Sequence, residues 1–438
     1  MERYDSYKDS GVEWIGEIPS HWDRKRLKHI SESVNGYSFK SDDFDREYHI
    51  PVIRIGDVGD SIDFDNCVKV KSHFLEEKSE FIVKKNDILI GLTGGTIGKS
   101  GRYNYDSPSL LNQRVGLLRN KESVLNGLLH HYVNSEVFIR YIFFDCYGGG
   151  QDNISMNDIL NMVFPSPPLS EQQQIVSFLD TKTSLIDSLI EKTQRKIELL
   201  KEKRTSLINE VVTKGLNPNV EMKDSGVEWI GEIPSHWLFT KFNRFVFFQE
   251  GPGLRTFQFT DEGTKVICVT NITENGIDFT YKKFISTNEY FEKYQHFTVE
   301  KGDFLLSSSG NSWGKVSEYL DDEKVMLNTS TIRLNTLNSS KYNKSLIPHI
   351  LKSEVVRKQL EILMTGSCQP NFGPSHLNQL VIPVPPLSEQ QQIVEYLDEQ
   401  TQLIDKTISI EEKRIELLKE YRQSLISEVV TGKRKVVE

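Results

Sequence analysis

The residues whose types best suit chemistry stand together at Gly91–Gly101, "GLTGGTIGKSG". A phosphate-cradling loop of the Walker A kind needs four residues between its first glycine and a closing Gly-Lys-Ser/Thr, so that backbone N–H groups wrap a phosphate. Five positions before Gly98 stands Thr93, and Gly94 leaves too short a gap. The spacing therefore argues against a nucleotide site. His130-His131 lie in a helical pattern and read as a packed or solvated pair rather than a metal centre. The chain has no H-E-x-x-H, no G-x-S-x-G and no dinucleotide fingerprint. Its two Pro-Pro pairs, "SPPLS" and "VPPLS", lead into helices and are not the Asn/Asp-Pro-Pro-aromatic loop of a base amino-methyltransferase. No catalytic residue and no metal ligand is assigned.

What positions these residues is a repeat. "KDSGVEWIGEIPSHW" runs from Lys8 to Trp22 and returns unchanged from Lys223 to Trp237; "PPLSEQQQIV" runs from Pro167 to Val176 and again from Pro385 to Val394. Between these landmarks the match is loose. "KKNDILIGLTGGTIGKS" faces "EKGDFLLSSSGNSWGKV", so the second copy keeps Gly314 and Lys315 but no phosphate-loop character. "GGGQDN" faces "GSCQPN". Near-identical frames around divergent inserts indicate one job done twice on different objects.

After each Pro-Pro pair comes a long helical segment. Ser170 with Gln173 forms a capping-box pattern, and Glu171 suits the helix dipole. Leu179, Ile186, Ile190, Ile197, Leu200, Leu207 and Val211 form a narrow apolar seam, matched by Leu397, Ile404, Ile408, Ile415, Leu418, Leu425 and Val429. Arg204 and Arg422 interrupt the two seams at the same step. Each helix extends roughly 65 Å at 1.5 Å per residue. The natural mate for each seam is its twin, which predicts an antiparallel two-helix coiled coil, a pseudo-two-fold axis and variable regions at opposite ends of a rod.

The variable regions, 23–164 and 238–382, carry short β-type runs with helical patterns late in each. The predicted fold class is α+β: two mixed, mostly β domains separated by the coiled coil. The corresponding division is 1–166 and 216–384 for the domains with their repeat motifs, and 167–215 and 385–438 for the helices. No run is long and apolar enough for a membrane span, the N-terminus lacks a secretory h-region, and the four cysteines are scattered singly. Reduced thiols and a cytoplasmic location are expected.

The net charge is −9, which weighs against a simple nucleic-acid binder and motivates an alternative, a coiled-coil scaffold with two protein-binding modules. Location changes that balance. Residues 23–164 hold 18 basic against 20 acidic residues and 238–382 hold 16 against 15, so the variable regions are close to neutral. Such domains can still read base edges through polar loops, Arg and Lys toward guanine or phosphate and Asn and Gln toward adenine. Candidates are Lys40, Arg54, Lys99, Arg102, Gln113, Arg114, Gln151 and Asn153 in the first region. In the second they are Arg255, Gln258, Asn271, Asn311, Lys315, Asn328, Gln369 and Asn371. Trp14, Trp22, Trp229 and Trp237, placed identically in both frames, are expected to pack against the helices.

The "SGVEWIGEIPSHW" opening, the "PPLSEQQQIV" lead-in, the "SLINEVVT" helix end and the duplication resemble the specificity subunit of type I restriction-modification systems. The resemblance covers essentially the whole chain and is strongest in the repeated frames. It implies two target recognition domains, each reading half of a split, asymmetric site in double-stranded DNA, with the helices as spacer. It further implies docking of two methylase subunits that carry S-adenosylmethionine and methylate adenine. A restriction (motor-nuclease) subunit then joins for ATP-dependent cleavage, with Mg on the partners. The chain itself is expected to hold no cofactor.

Overall fold

A computed structural model of the chain describes residues 3–59, 61–121, 125–145, 153–364 and 370–436. They form two compact units, Met1–Gln194 with Lys413–Glu438, and Arg195–Glu412. Each unit therefore contains one variable region, the near half of one long helix and the far half of the other.

In the first unit the repeated motif folds as a hairpin, Tyr7–Asp9 against Glu17–Pro19. Gly11 and Gly16 take left-handed φ values of 71° and 68°, which a β-carbon would oppose. The strands Asp23–Arg26 and Val163–Ser166 then pair antiparallel, so the variable region enters and leaves through one two-stranded neck. Its body holds two four-stranded sheets. One orders Ser31–Asn35, Val115–Asn120, Ile88–Gly91 and Ser100–Arg102; the other orders Lys69–Val70, Ile50–Ile53, Ser109–Leu111 and Ile82–Val83.

The unbroken apolar run Ile88-Leu89-Ile90 follows from this layering. Side chains alternate across a strand, and both faces of this sheet are covered. Leu89 packs between the sheets with Ile53, Leu111 and Leu117. Ile88 and Ile90 face the other way, toward Leu128, Phe138, Leu179 and Val429. Cys67 lies in the inter-sheet core, where burial pushes its thiol up to about 11. Cys146 and Cys368 lie outside the described residues.

The second unit repeats the plan with different sequence. Met222–Asp224 pairs with Glu232–Pro234, and Leu238–Lys241 with Val381–Val384. Leu305 faces one core and Phe304 and Leu306 the other. The late helical patterns are helices in both units: Leu125–Val133 and Glu136–Asp145 in the first, Leu346–Leu351 and Glu354–Leu363 in the second.

The long helices are Leu169–Lys214 and Leu387–Val430. The first starts one residue before Ser170, so the Ser170–Gln173 capping box does not form its N-terminus. Instead the Gln172 side chain donates back to the Pro167 carbonyl at 2.7 Å, as Gln390 does to Pro385 at 2.8 Å. Glu171 is used differently again: it accepts from the Trp22 indole at 3.0 Å, with His21 Nε2 at 2.6 Å. Glu389 holds Trp237 and His236 in the same way, at 2.9 and 2.7 Å. Trp22 and Trp237 thus pack against the helices as expected.

Within the first unit, Ile175, Leu179 and Ile186 share a core with Leu425, Ile426 and Val429. Within the second, Ile208, Val211 and Val212 share one with Ile393, Val394 and Leu397. There Lys196 pairs with Glu411 at 2.5 Å and Arg204 with Asp405 at 2.9 Å, so numbers rising on one helix fall on the other. Threonines occupy buried seam positions that apolar periodicity alone overlooks. Thr183, Thr193 and Thr401 each return the hydroxyl to the carbonyl four residues back, at 2.8, 2.7 and 2.6 Å, which satisfies it inside the seam. No helix among the described residues is long and apolar enough to cross a membrane.

Candidate nucleic-acid interface

The glycine loop is a tight connection between two strands, and its twin has the same geometry. Gly94 and Gly98 adopt φ of 63° and 76°, Gly310 and Gly314 of 64° and 82°. Gly91 N–H donates to Lys99 and Gly98 N–H back to Gly91; Ser307 and Gly314 close the second loop through the matching bonds with Lys315 and Ser307. The amides of Gly91, Ile97, Gly98 and Lys99 donate within the turn, and the loop presents Lys99.

Four further connections converge on this loop in the first unit. Asn112 N–H donates to Ile53, Gln113 N–H to Tyr37, Leu92 N–H to Arg114 and Ile154 N–H to Leu92. Thr93 and Asn153 form a β-bridge. Gly36 touches the backbone of Leu111 and Asn112 so closely that no side chain would fit there. The Lys99 ammonium lies over Gly59 at the end of the Arg54 turn. Arg54, Lys99, Gln113, Arg114 and Asn153 are therefore exposed on one contiguous set of loops.

Lys40 stands exposed on the chain leaving Gly36, and its N–H is capped by Asp43 at 2.8 Å. Arg102 belongs elsewhere. Its guanidinium is held by Asn86, and it lines a polar cavity of about 620 Å³ with His131, Asn134, Asp180, Asp187 and Arg422. Gln151 lies outside the described residues.

The second unit forms the corresponding loop set. Asn311 and Asn371 are exposed and Lys315 half-exposed. Ser309 bridges Asn371, and Ser312 Oγ donates to Val269 at 3.3 Å, which joins two of the turns. Arg255 is exposed, and its N–H is capped by Gln258 Oε1 at 2.9 Å.

Three candidates here have side chains with hydrogen-bond partners inside the protein. The Gln258 amide is further committed to Glu289 and Tyr294 at 2.9 and 3.1 Å. Asn271 is buried; its Oδ1 accepts from Cys268 and its Nδ2 donates to Asp278 and Tyr281. Asn328 is half-buried, with Nδ2 turned toward Cys268 Sγ at 3.6 Å. Short polar side chains stabilise tight turns by bonding nearby backbone, as Asn271 and Gln258 do. Gln369 lies outside the described residues.

Two features escaped the sequence reading. Phe257 and Tyr281 are 85% and 82% exposed on loops of the second unit, a placement signalled only by aromatic residues inside polar turns. The second is a pair of a buried histidine with an exposed aspartate, repeated in both units. His131 Nε2 lies 2.7 Å from Asp180 Oδ1, and His349 Nε2 lies 2.8 Å from Asp398 Oδ1, each tying the domain to a long helix. The His131 hydrogen bond, more than any other influence, holds the Asp180 carboxyl below its ordinary range.

A family model described as "Type I restriction modification DNA specificity domain" matches residues 19–199 and 234–420. The MjaVIII specificity subunit of a type I restriction enzyme from Methanocaldococcus jannaschii is 26% identical over 360 residues, 82% of this chain and 81% of that protein. The EcoBI specificity subunit of Escherichia coli is 24% identical over 89% of this chain and 81% of its own length. Among solved structures, a chain from work on assembly and conformational transition of the type I R-M system is 15% identical with a TM-score of 0.70. It is covered over 99% of its length and covers 95% of this chain. The HsdS subunit from Thermoanaerobacter tengcongensis is 14% identical with a TM-score of 0.53, over 95% and 98% of the two chains. Such relatives are non-catalytic components of their complexes. With both repeats matched along most of their length, the chain belongs to the type I restriction-modification DNA specificity family.

Proposed function

We propose that the chain reads a bipartite, asymmetric site in double-stranded DNA, one half through each variable region. The observation that carries this reading is a shared plan of neck, sheet and glycine turn beneath loop sets whose exposed residues differ. Arg54, Gln113 and Arg114 present edges in the first unit that Cys268, Thr329 and Ser330 do not offer in the second. Similar support with unlike reading faces is what a split, asymmetric site requires.

On this reading residues 1–166 and 216–384 are the target recognition domains. The helical segments 167–215 and 385–438 form an antiparallel coiled-coil spacer that sets the gap between half-sites. Two methylase subunits dock on the chain, and restriction subunits join through them. S-adenosylmethionine, ATP and Mg belong to those partners, and the assembly works in the cytoplasm. The near-neutral variable regions grip phosphates weakly, so tight binding draws on the partners. The test is a gel shift of the chain co-expressed with its methylase, across a salt series. A site-specific complex whose affinity falls with salt supports the reading, and equal affinity for unrelated duplexes at every salt concentration contradicts it.

A further inference from the structure

The fifteen residues from Lys8 to Trp22 recur without change at Lys223–Trp237, whereas the regions between have diverged widely. Folding accounts for most of that identity. Ile15, Ile18 and Trp22 are buried, as are Ile230, Ile233 and Trp237. Asp9 and Asp224 cap the hairpin by accepting from Gly11 and Gly226 at 2.8 and 2.9 Å. His21 and His236 hold the helix-start glutamates.

Three of the remaining positions are glutamate or tryptophan. Glu13 and Glu17 are exposed, as are Glu228 and Glu232. Trp229 is 42% exposed, so the second unit does not need its indole for packing. Trp14 is half-buried beside Tyr141, and its Nε1 is buried without an acceptor. It lines a cavity of about 370 Å³ with Glu13, Arg26, Tyr141 and Asn161.

We infer that Glu13, Trp14 and Glu17, with Glu228, Trp229 and Glu232, form one docking face presented twice, each taking a copy of the same basic-surfaced protein subunit. Duplication alone does not keep solvent-facing residues alike while their neighbours change. A partner bound at both copies does. Tryptophan at the centre of a polar patch is the common anchor of protein interfaces. The motif segments 1–22 and 215–237 hold 5 acidic against 2 basic residues and 4 against 1, so a matching surface carries Lys or Arg. The identity of that subunit as the methylase rests on the proposed function.

The test is native mass spectrometry and titration of the full chain with its methylase subunit. Trp14→Ala with Glu13→Lys and Glu17→Lys alters the first copy, the matching triple alters the second, and a third variant combines them. The wild type binds two subunits. Each single-copy variant keeps one tight site and weakens the other roughly ten-fold or more, and the combined variant loses both. Glu13→Gln with Glu17→Gln leaves the hairpin packing intact and gives a smaller loss that shrinks with salt, separating docking from misfolding. Two unweakened sites in the combined variant overturn the docking face and leave the proposed function standing. No methylase on the wild-type chain overturns both.

Discussion

Arg422 Nε lies 2.9 Å from Asp187 Oδ1, and the corresponding residues of the other unit, Arg204 and Asp405, stand at the same 2.9 Å. In the first pair Nε is poorly aligned, and the hydrogen bond runs from Nη2 to Oδ2 at 3.4 Å. The two arginines that interrupt the apolar seams are therefore matching helix-to-helix ion pairs, one in each unit, beside the apolar contacts. Asp187 and Asp405 are both about half exposed, which screens the attraction. A double-mutant cycle on Arg422→Ala and Asp187→Ala should give a coupling of about 0.5–1 kcal/mol in thermal or urea unfolding. Strict additivity would contradict the pairing.

Leu425, Ile426, Val429 and Val430 complete the core of the first unit from the far end of the chain. Leu425→Ala should cost about 2–5 kcal/mol, the usual cost of a cavity at a fully buried leucine. Hydrogen exchange should rise across residues 3–194 and stay unchanged through 195–412. A loss of protection confined to the second unit would contradict this packing.

The long helices, both seams and the strand-turn-strand reading of Gly91–Gly101 were legible because apolar spacing of three and four, or of two, reports directly on a buried face. Which seam residues belong to which unit was not legible. Periodicity shows that Leu425 is buried, not that Trp22 and Leu179 share its core. The helix start was misplaced because Ser170 has the right type for a cap, yet Gln172 bonds back to Pro167 and Glu171 makes the tertiary bonds to His21 and Trp22. The internal bonds of Asn271 and Gln258 were hidden for a related reason: the polar types that suit a base edge also suit the inside of a turn. Trp14 and Trp22 look alike in sequence, and only the three-dimensional arrangement separates the helix-bound indole from the one left without an acceptor.

Asp180 titrates below its ordinary range, chiefly through the His131 hydrogen bond; burial opposes this, and the charges of His131, Arg102 and His130 add to the lowering. A depressed carboxylate pKa stabilises the fold above the unfolded value, about pH 4, and that contribution disappears as pH falls through the lower folded value. Acid unfolding of the wild type should therefore steepen below about pH 4. Asp180→Asn should unfold more easily at pH 7 and show a flatter acid limb. An unchanged limb would remove Asp180 from the linkage.

Lys99 and Arg102 are three residues apart but have different surroundings. Lys99 is exposed on the converging loops, whereas Arg102 is tied to Asn86 beside the cavity. Lys99→Ala should weaken DNA binding by the methylase complex and lower the salt slope by about 0.9, one phosphate contact. Arg102→Ala should leave both unchanged. The reverse order of effects would place the interface on the opposite side of the domain.

The most direct measurement is the methylated site itself, mapped genome-wide for complexes carrying the wild-type chain and a chain whose residues 23–164 come from a relative with another specificity. The account predicts that one half-site changes while the other half and the gap between them stay fixed. A change in both halves, or in neither, would contradict it.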